Sequence, residues 1–303
     1  MAALSFILDI VSATFRVSTP IVYATVGDTY VQRGGMLNLG IEGMMFSGAF
    51  FGFMVAFQTG SIWLGLAAAA GVGVAAALLL GFLIVTLGTS QHVAGIGMTL
   101  LLIALCAFTN RLVFGRPATL PKIETFESHS PLDFRILDQY GMTYFAFLVL
   151  VPVAWWVLNR SSFGLRVRAV GENPEAADVA GINVFWTRYA ALMVGGGLAA
   201  VGGAFLTIAL LGSFTLDIVA GRGWVALAMV IFGRWQVGRA VIGALIFAAV
   251  YSLGLRLQIV PGWDAVPYQL LLAMPYVAVI VALAAGGRNV AYPAAYLRPY
   301  RRA

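Results

Sequence analysis

At 303 residues, of which 61% are hydrophobic and only 10% charged, the chain is far too apolar for a soluble globular domain, where about a quarter of residues are charged. Its length suits a helix bundle with no added nucleotide-binding domain, and no GxxxxGK[ST] loop occurs, so any ATP chemistry belongs to another chain. The formal charge of +6 comes from arginines dispersed over connectors and tail, the pattern of membrane orientation rather than of nucleic-acid binding.

Taken in chain order, stretches without Asp, Glu, Lys or Arg delimit the membrane crossings, because a charge at the bilayer centre costs about 2.5–3.5 kcal/mol. They cover residues 43–110, 139–159, 189–216, 240–255 and 265–287. At about twenty residues per crossing the first holds most of three helices, with breaks at Gln58–Ser61 and Gly88–Gln91. Spans are predicted near 8–31, 36–57, 61–86, 91–112, 141–159, 186–211, 215–233, 238–257 and 267–286. The expected fold is all-α: one polytopic transmembrane helix bundle over residues 1–303, with about nine or ten spans. No basic n-region precedes the first apolar segment, so no cleaved signal peptide is expected and that segment stays in the mature protein.

Arginine placement sets the orientation. The tail 287–303 carries Arg288, Arg298, Arg301 and Arg302, the 160–188 connector Arg160, Arg166, Arg168 and Arg188, and the short turn between them Arg234 and Arg239. An even number of spans separates each pair, so all three are expected in the cytoplasm. The 113–140 loop is then external, with Glu124, Glu127, Asp133 and Asp138 against Arg116, Lys122 and Arg135. Nine spans put the N-terminus outside; a tenth reverses it. Trp63, Trp155, Trp156 and Trp263 suit interfacial belts. Gly71, Gly73, Gly195–Gly197, Gly202 and Gly203 lie inside apolar runs and are expected to pack helices closely.

Several polar residues fall at or near membrane depth. Glu42 is the first candidate, since a carboxylate there needs a partner or an aqueous cavity; Arg33 is the obvious structural partner. Asn38 sits four residues earlier, on the same face of a helix. Gln91, His92 and Asn110 polarise the fourth predicted span, and Arg222 and Trp224 open the seventh, where Asp217 can pair with Arg222. These seven, Asn38, Glu42, Gln91, His92, Asn110, Arg222 and Trp224, are the candidate substrate-pathway residues. Arg33-Gly34 and Arg222-Gly223 each start a segment unusually rich in Gly or polar residues, at an offset of 189 positions, which suggests two weakly repeated halves. Cys106, the one cysteine, reads as a buried packing residue. His92 and His129 have no partner at metal spacing; no metal, cofactor or catalytic group is expected.

Mid-chain, a polar stretch from Gly164 to Gly181 interrupts the apolar runs. Asn173 is a good N-cap, Pro174 suits the first helical position, Glu175 and Asp178 favour a helix N-terminus, and Gly181 offers a stop. A helix of about two turns is predicted, too short and polar to span a bilayer. Glu175-Ala176-Ala177 followed by Gly181 resembles the EAA-type coupling loop of ABC importer permeases. The wording from Gly164 to Asn183, the segment Arg33-Gly34-Gly35-Met36-Leu37-Asn38-Leu39-Gly40-Ile41-Glu42-Gly43-Met44-Met45, and the segments Gly221–Ala228 and Ile231–Trp235 together resemble the branched-chain amino acid, ribose and nucleoside group of such permeases.

What the resemblance implies is a transport subunit, not an enzyme, in the bacterial inner membrane. Arg166, Arg168, Glu172, Asn173, Glu175, Ala176, Ala177 and Gly181 would form the coupling element, within a cytoplasmic loop at 160–185. The implied partners are ABC ATPase subunits, a second and paralogous permease, and an extracytoplasmic solute-binding protein. The 33–45 wording favours a nucleoside as solute; ribose or another simple sugar is the alternative. From another class, an ion-coupled secondary transporter would need an acidic pair at membrane depth, for which Glu42 alone is thin support. A membrane enzyme would need a nucleophile–base or metal constellation that these spacings do not offer.

Overall fold

Backbone polar groups in lipid must be satisfied within their own segment, and each long apolar run of this chain accordingly forms a helix. The computed structural model describes residues 2–115, 119–129, 138–258, 267–286 and 291–300. Arg116, Asp133, Arg135, Trp263, Arg288, Arg301 and Arg302 lie outside the described residues. The helices are α1 (Ala2–Arg33), α2 (Ile41–Thr59), α3 (Ile62–Gly81), α4 (Gln91–Phe114), α5 (Gly141–Tyr144), α6 (Val151–Arg160), α7 (Ser162–Glu172), α8 (Pro174–Val179), α9 (Val184–Ala204), α10 (Arg222–Phe232), α11 (Val237–Leu257) and α12 (Tyr268–Gly286). Wider π-helical turns continue α3 through Phe82–Thr86, join α5 to α6 at Phe145–Leu150 and continue α9 through Phe205–Leu211. Two short antiparallel strands, Ser128–His129 and Gln139–Tyr140, are the sheet among the described residues.

Among the described residues, seven helical segments are long and apolar enough to cross a bilayer: Phe6–Arg33, Ile41–Thr59, Ile62–Thr86, Gln91–Phe114, Gly141–Arg160, Val184–Leu211 and Val237–Leu257. Two apolar helices are shorter, Arg222–Phe232 and Tyr268–Val281. The predicted bundle is therefore present, with two differences. Residues 36–40, expected within the second span, are not helical, and neither is 215–220, expected within the seventh. The first contains Asn38 and Gly40 and the second Thr215 and Asp217, residues whose conformational freedom or local side-chain bonding competes with a helix.

Helix α9 occupies the centre, against α1, α2 and α3. Its glycines allow the approach: a Cβ on Gly203 would fall 1.8 Å from the Met45 carbonyl oxygen, and one on Gly73 2.3 Å from that of Gly196. Small residues at helix crossings are how backbones close in lipid, where no hydrophobic force joins them. Gly71, placed by sequence in the same packing motif, faces open space instead.

The two ends of the bundle differ. At one, Ser12 and Arg16 meet Gln139 and Asp138, Asp9 pairs with Arg256, and Ile123 N–H donates to Gly212 O. The Ser128 hydroxyl and the Arg16 guanidinium together hold the Asp138 carboxyl below the usual carboxylate range. At the other end lie Arg33, the α7–α8 segment, the Arg234–Trp235 turn and the tail. Arg33 Nε donates to Trp235 O at 2.9 Å, Ala295 N–H to Gly171 O and Leu297 N–H to Gly35 O. The three arginine-bearing connectors thus share one end. Arg188 does not belong to their surface: it is buried on the second turn of α9, with 2% exposure. Arg33 closes a helix whereas Arg222 opens one, so the two Arg-Gly pairs do not occupy equivalent positions.

Candidate functional site

The break before α10 places a helix N-terminus at membrane depth. Eleven residues rise about 16 Å, roughly half of a hydrocarbon core about 30 Å thick, and the helix ends at the Arg33–Trp235 contact. Its start is therefore near the middle of the bundle. Exposed backbone N–H groups there carry a penalty of several kcal/mol each, and Glu42 removes it. The carboxylate, on the first turn of α2, accepts Gly221 N–H at 2.8 Å and Gly223 N–H at 2.7 Å. A Cβ on Gly223 would lie 2.7 Å from Glu42 Oε2, so only glycine admits the carboxylate so closely. Arg33 is not its partner, as it is engaged by Trp235.

Arg222 does not pair with Asp217. Its Nη1 donates to the carbonyls of Ile218 and Val219, and its guanidinium stands 5.9 Å from the Tyr251 ring centroid. Tyr276 Oη donates to Ala220 O at 3.2 Å, while its ring meets Phe247 edge-on. Arg222 and Tyr251 are partly exposed, and Tyr276 is 40% exposed. Polar groups at this depth are costly against lipid, which argues that this face meets water or another subunit. Trp224, on the first turn of α10, stands beside them near mid-depth.

Below Trp224 the same α10 face continues through Leu227 and Ile231 into an open recess of about 660 Å³, lined also by Leu37, Leu39, His92, Tyr292 and Arg298. His92 is exposed on its wall. Gln91 is buried behind it, its Oε1 accepting Leu37 N–H at 2.7 Å and holding the non-helical 36–40 segment in place. Asn38 is fully buried, with Nδ2 3.5 Å from Met44 Sδ and Oδ1 without a partner. Asn110 is remote, near the other end of α4. The structure thus places six of the seven pathway candidates along α10 or behind it, from the break at Gly221 to the His92 recess, and leaves Asn110 outside.

One buried carboxylate escaped the sequence reading. Asp28, on the penultimate turn of α1, is fully buried. Its Oδ2 accepts Gln32 Nε2–H at 2.5 Å, and Gln32 Oε1 accepts Trp235 Nε1–H at 2.9 Å. The signal was available: Asp28 interrupts an otherwise apolar run, four residues before Gln32. Trp235 is the largest fully buried side chain among the described residues and follows Arg234 in a left-handed turn, φ 56° and 52°. Each such residue costs about 1–2 kcal/mol, which the indole, carbonyl and ring contacts of Trp235 must offset.

The second polar site is the α7–α8 segment. The polar stretch is two helices, not one. Ser161 caps α7, accepting Gly164 N–H at 3.1 Å, and Asn173 caps α8, accepting Ala176 N–H at 3.0 Å. Gly181 ends the second with φ 83°. Ala177 faces inward on Val170 and Val184, so it anchors α8 rather than presenting a surface. Glu172, Asn173, Glu175, Ala176 and Gly181 are exposed, with Arg166 beside them. Arg168 is half-buried and reaches the carbonyls of Asn159 and Gly164 at 3.4 Å. Val179 is 92% exposed, an apolar side chain with no cover.

Among the described residues no group of three or more His, Cys, Asp or Glu could hold a metal. What remains is a membrane bundle with a broken helix at mid-depth and a stiff, capped knob at one end. The family of branched-chain amino acid transport system permease components matches residues 10–280. This chain belongs to that family. A Haloferax volcanii ABC transporter permease provisionally assigned to glucose is 37% identical over 84% of this chain and 79% of its own. The nucleoside ABC transporter permease NupC of Lactococcus lactis is 34% identical over 91% and 92%. The guanosine ABC transporter permease NupQ of Bacillus subtilis is 30% identical over 90% of each chain. No solved structure matches the chain. As a member of this family the protein is a multi-pass membrane permease component, a transport subunit rather than an enzyme.

Proposed function

We propose that this permease is the membrane subunit of an ATP-driven importer of nucleosides, seated in the bacterial inner membrane. The observation that carries the coupling role is α8. It is a twice-capped helix held to the bundle by Ala177 and offering Glu175, Ala176 and Val179 outward. It stands at the end that gathers Arg33, Arg160, Arg166, Arg234 and Arg298, which is the cytoplasmic end by the positive-inside rule. A separate ATPase subunit docks there, and Arg166 and Glu175 supply charge contacts around the apolar Val179.

The solute route follows the α10 face from Arg222 and Trp224 past Leu227 and Ile231 to the His92 recess, with a second permease chain closing the other side. Glu42 and Asn38 sit behind this face; Glu42 shapes the route by fixing where α10 begins. A solute-binding protein delivers cargo at the opposite end, beside the 119–129 segment and Asp138.

Nucleoside cargo is favoured by the NupC and NupQ relatives, matched over nearly their whole lengths. A simple sugar is the second reading, favoured by the Haloferax volcanii relative. A binding screen of the cognate solute receptor against nucleosides, pentoses and hexoses, followed by uptake with and without ATP, tests both. Micromolar binding and ATP-dependent uptake of a nucleoside are expected. Uptake that survives loss of the ATPase but collapses with the proton gradient would overturn the importer reading.

A further inference from the structure

The tail does not hang free from α12. Residues 291–300 cross the arginine-rich end as a strap that touches α8, the ends of α7 and α1, and Trp235. Tyr300 Oη meets Asp178 Oδ2 on α8 at 3.0 Å. Ala295 N–H donates to Gly171 O at the end of α7 and Leu297 N–H to Gly35 O just beyond α1. Tyr292 and Tyr296 lay their rings against Trp235, with centroids 4.8 and 6.3 Å away. Trp235 is in turn fixed to α1 by Gln32 at 2.9 Å and by Arg33.

Trp235 is also three residues beyond the end of α10. A helix is stiff along its axis, so displacing Trp235 displaces the α10 N-terminus and the Glu42 contact with it. Among the described residues, the coupling helix and α10 share no extensive contact to carry such a movement. The described residues bring them together through the strap, and through the close approach of Gly171 to Arg33 O, where a Cβ would come within 1.9 Å.

We propose that residues 291–300 are a transmission strap, and that Trp235, Tyr292 and Tyr296 are positioning residues that turn movement of α8 into movement of α10. This rests on the reading of α8 as the ATPase dock. The strap predicts a specific fault: an altered strap leaves ATP hydrolysis running while transport stops, because the dock is intact and its linkage is not.

The test uses the assembled transporter in proteoliposomes, with its binding protein and labelled guanosine as cargo, and both uptake and ATP hydrolysis measured. Trp235→Ala is expected to lower guanosine taken up per ATP at least tenfold, with hydrolysis within twofold of the unaltered complex. Trp235→Phe, which keeps the ring contacts and loses the Gln32 bond, should recover part of the ratio. Ending the chain before Ala291 removes the strap while keeping Trp235 and its bonds to Gln32 and Arg33, and should uncouple in the same way. An unchanged ratio in either Trp235→Ala or the truncated chain, or a parallel fall of hydrolysis and uptake in the truncated chain, overturns the strap. An unaltered complex that imports guanosine without ATP sinks the importer reading instead.

Discussion

Glu42 on α2 is the cap of α10, a helix that starts some 180 positions further along the chain: its two carboxylate oxygens accept the N–H groups of Gly221 and Gly223 at 2.8 and 2.7 Å. A helix N-terminus attracts negative charge and needs acceptors, and no side chain at the start of α10 itself supplies one. The carboxylate therefore decides where the second half of the bundle is allowed to break.

Glu42→Ala should accordingly cost stability before selectivity. The buried Gly223 N–H and the partly buried Gly221 N–H would be left without partners, at up to about 1–3 kcal/mol each, so a loss of roughly 2–4 kcal/mol is expected. Glu42→Gln keeps the volume and one acceptor and should lose about half as much. Thermal unfolding of the detergent-purified protein reads this directly. A stable Glu42→Ala protein with altered solute preference would instead place the carboxylate in contact with cargo.

The exposed face of α8 gives a second prediction. Val179→Asp puts a charge on the apolar tip of the knob, Glu175→Lys reverses its first-turn charge, and Gly181→Trp forces a bulky residue into φ 83°. An apolar anchor at an interface is commonly worth more than about 1–2 kcal/mol, so uptake should fall about tenfold or more. Co-purification with the ATPase should weaken in parallel while membrane insertion is unaffected. Normal uptake by an assembled Val179→Asp complex would show that α8 presents nothing to a partner.

Most of the bundle was legible from hydrophobic run length alone, because lipid forces such runs into helices. The caps of α8 were legible too, since Asn173, Pro174 and Gly181 act locally. What escaped was settled by distant partners. Nothing near Gly221 in sequence announces that Glu42 will cap it, and Arg188 reads as a connector cation until α9 buries it. Ala177 and Val179 are both small apolar residues on one short helix; only the packing on Val170 and Val184 separates anchor from surface. Asp28 was legible too, as a carboxylate inside the predicted 8–31 span.

Glycine motifs illustrate the same limit and supply a third prediction. Gly203 and Gly71 both lie inside glycine-bearing apolar helices, yet a Cβ meets the Met45 carbonyl at 1.8 Å in one case and nothing within 4 Å in the other. Gly203→Ala must push α9 from α2 and should destabilise by about 1–3 kcal/mol or more. Gly71→Ala should be neutral, or stabilising by up to about 1 kcal/mol from helix propensity. Matched melting curves of the two variants decide it, and equal losses would mean that α2 and α9 do not cross at these residues.

The proposed route along α10 can be probed because the chain carries one cysteine, Cys106, and it is fully buried. A charged, membrane-impermeant thiol reagent needs water at its target and should leave the native protein unmodified. Cysteines placed at Trp224, Leu227 or Ile231 should react in the assembled transporter, and saturating guanosine should slow that reaction several-fold. Cysteines at Leu100 and Leu105 on α4, which are 64% and 47% exposed and surrounded by apolar neighbours, should stay unreactive because lipid covers them. Labelling of α4 but not of α10 would move the solute route to the other side of the bundle, since only a water-filled path brings the reagent to membrane depth.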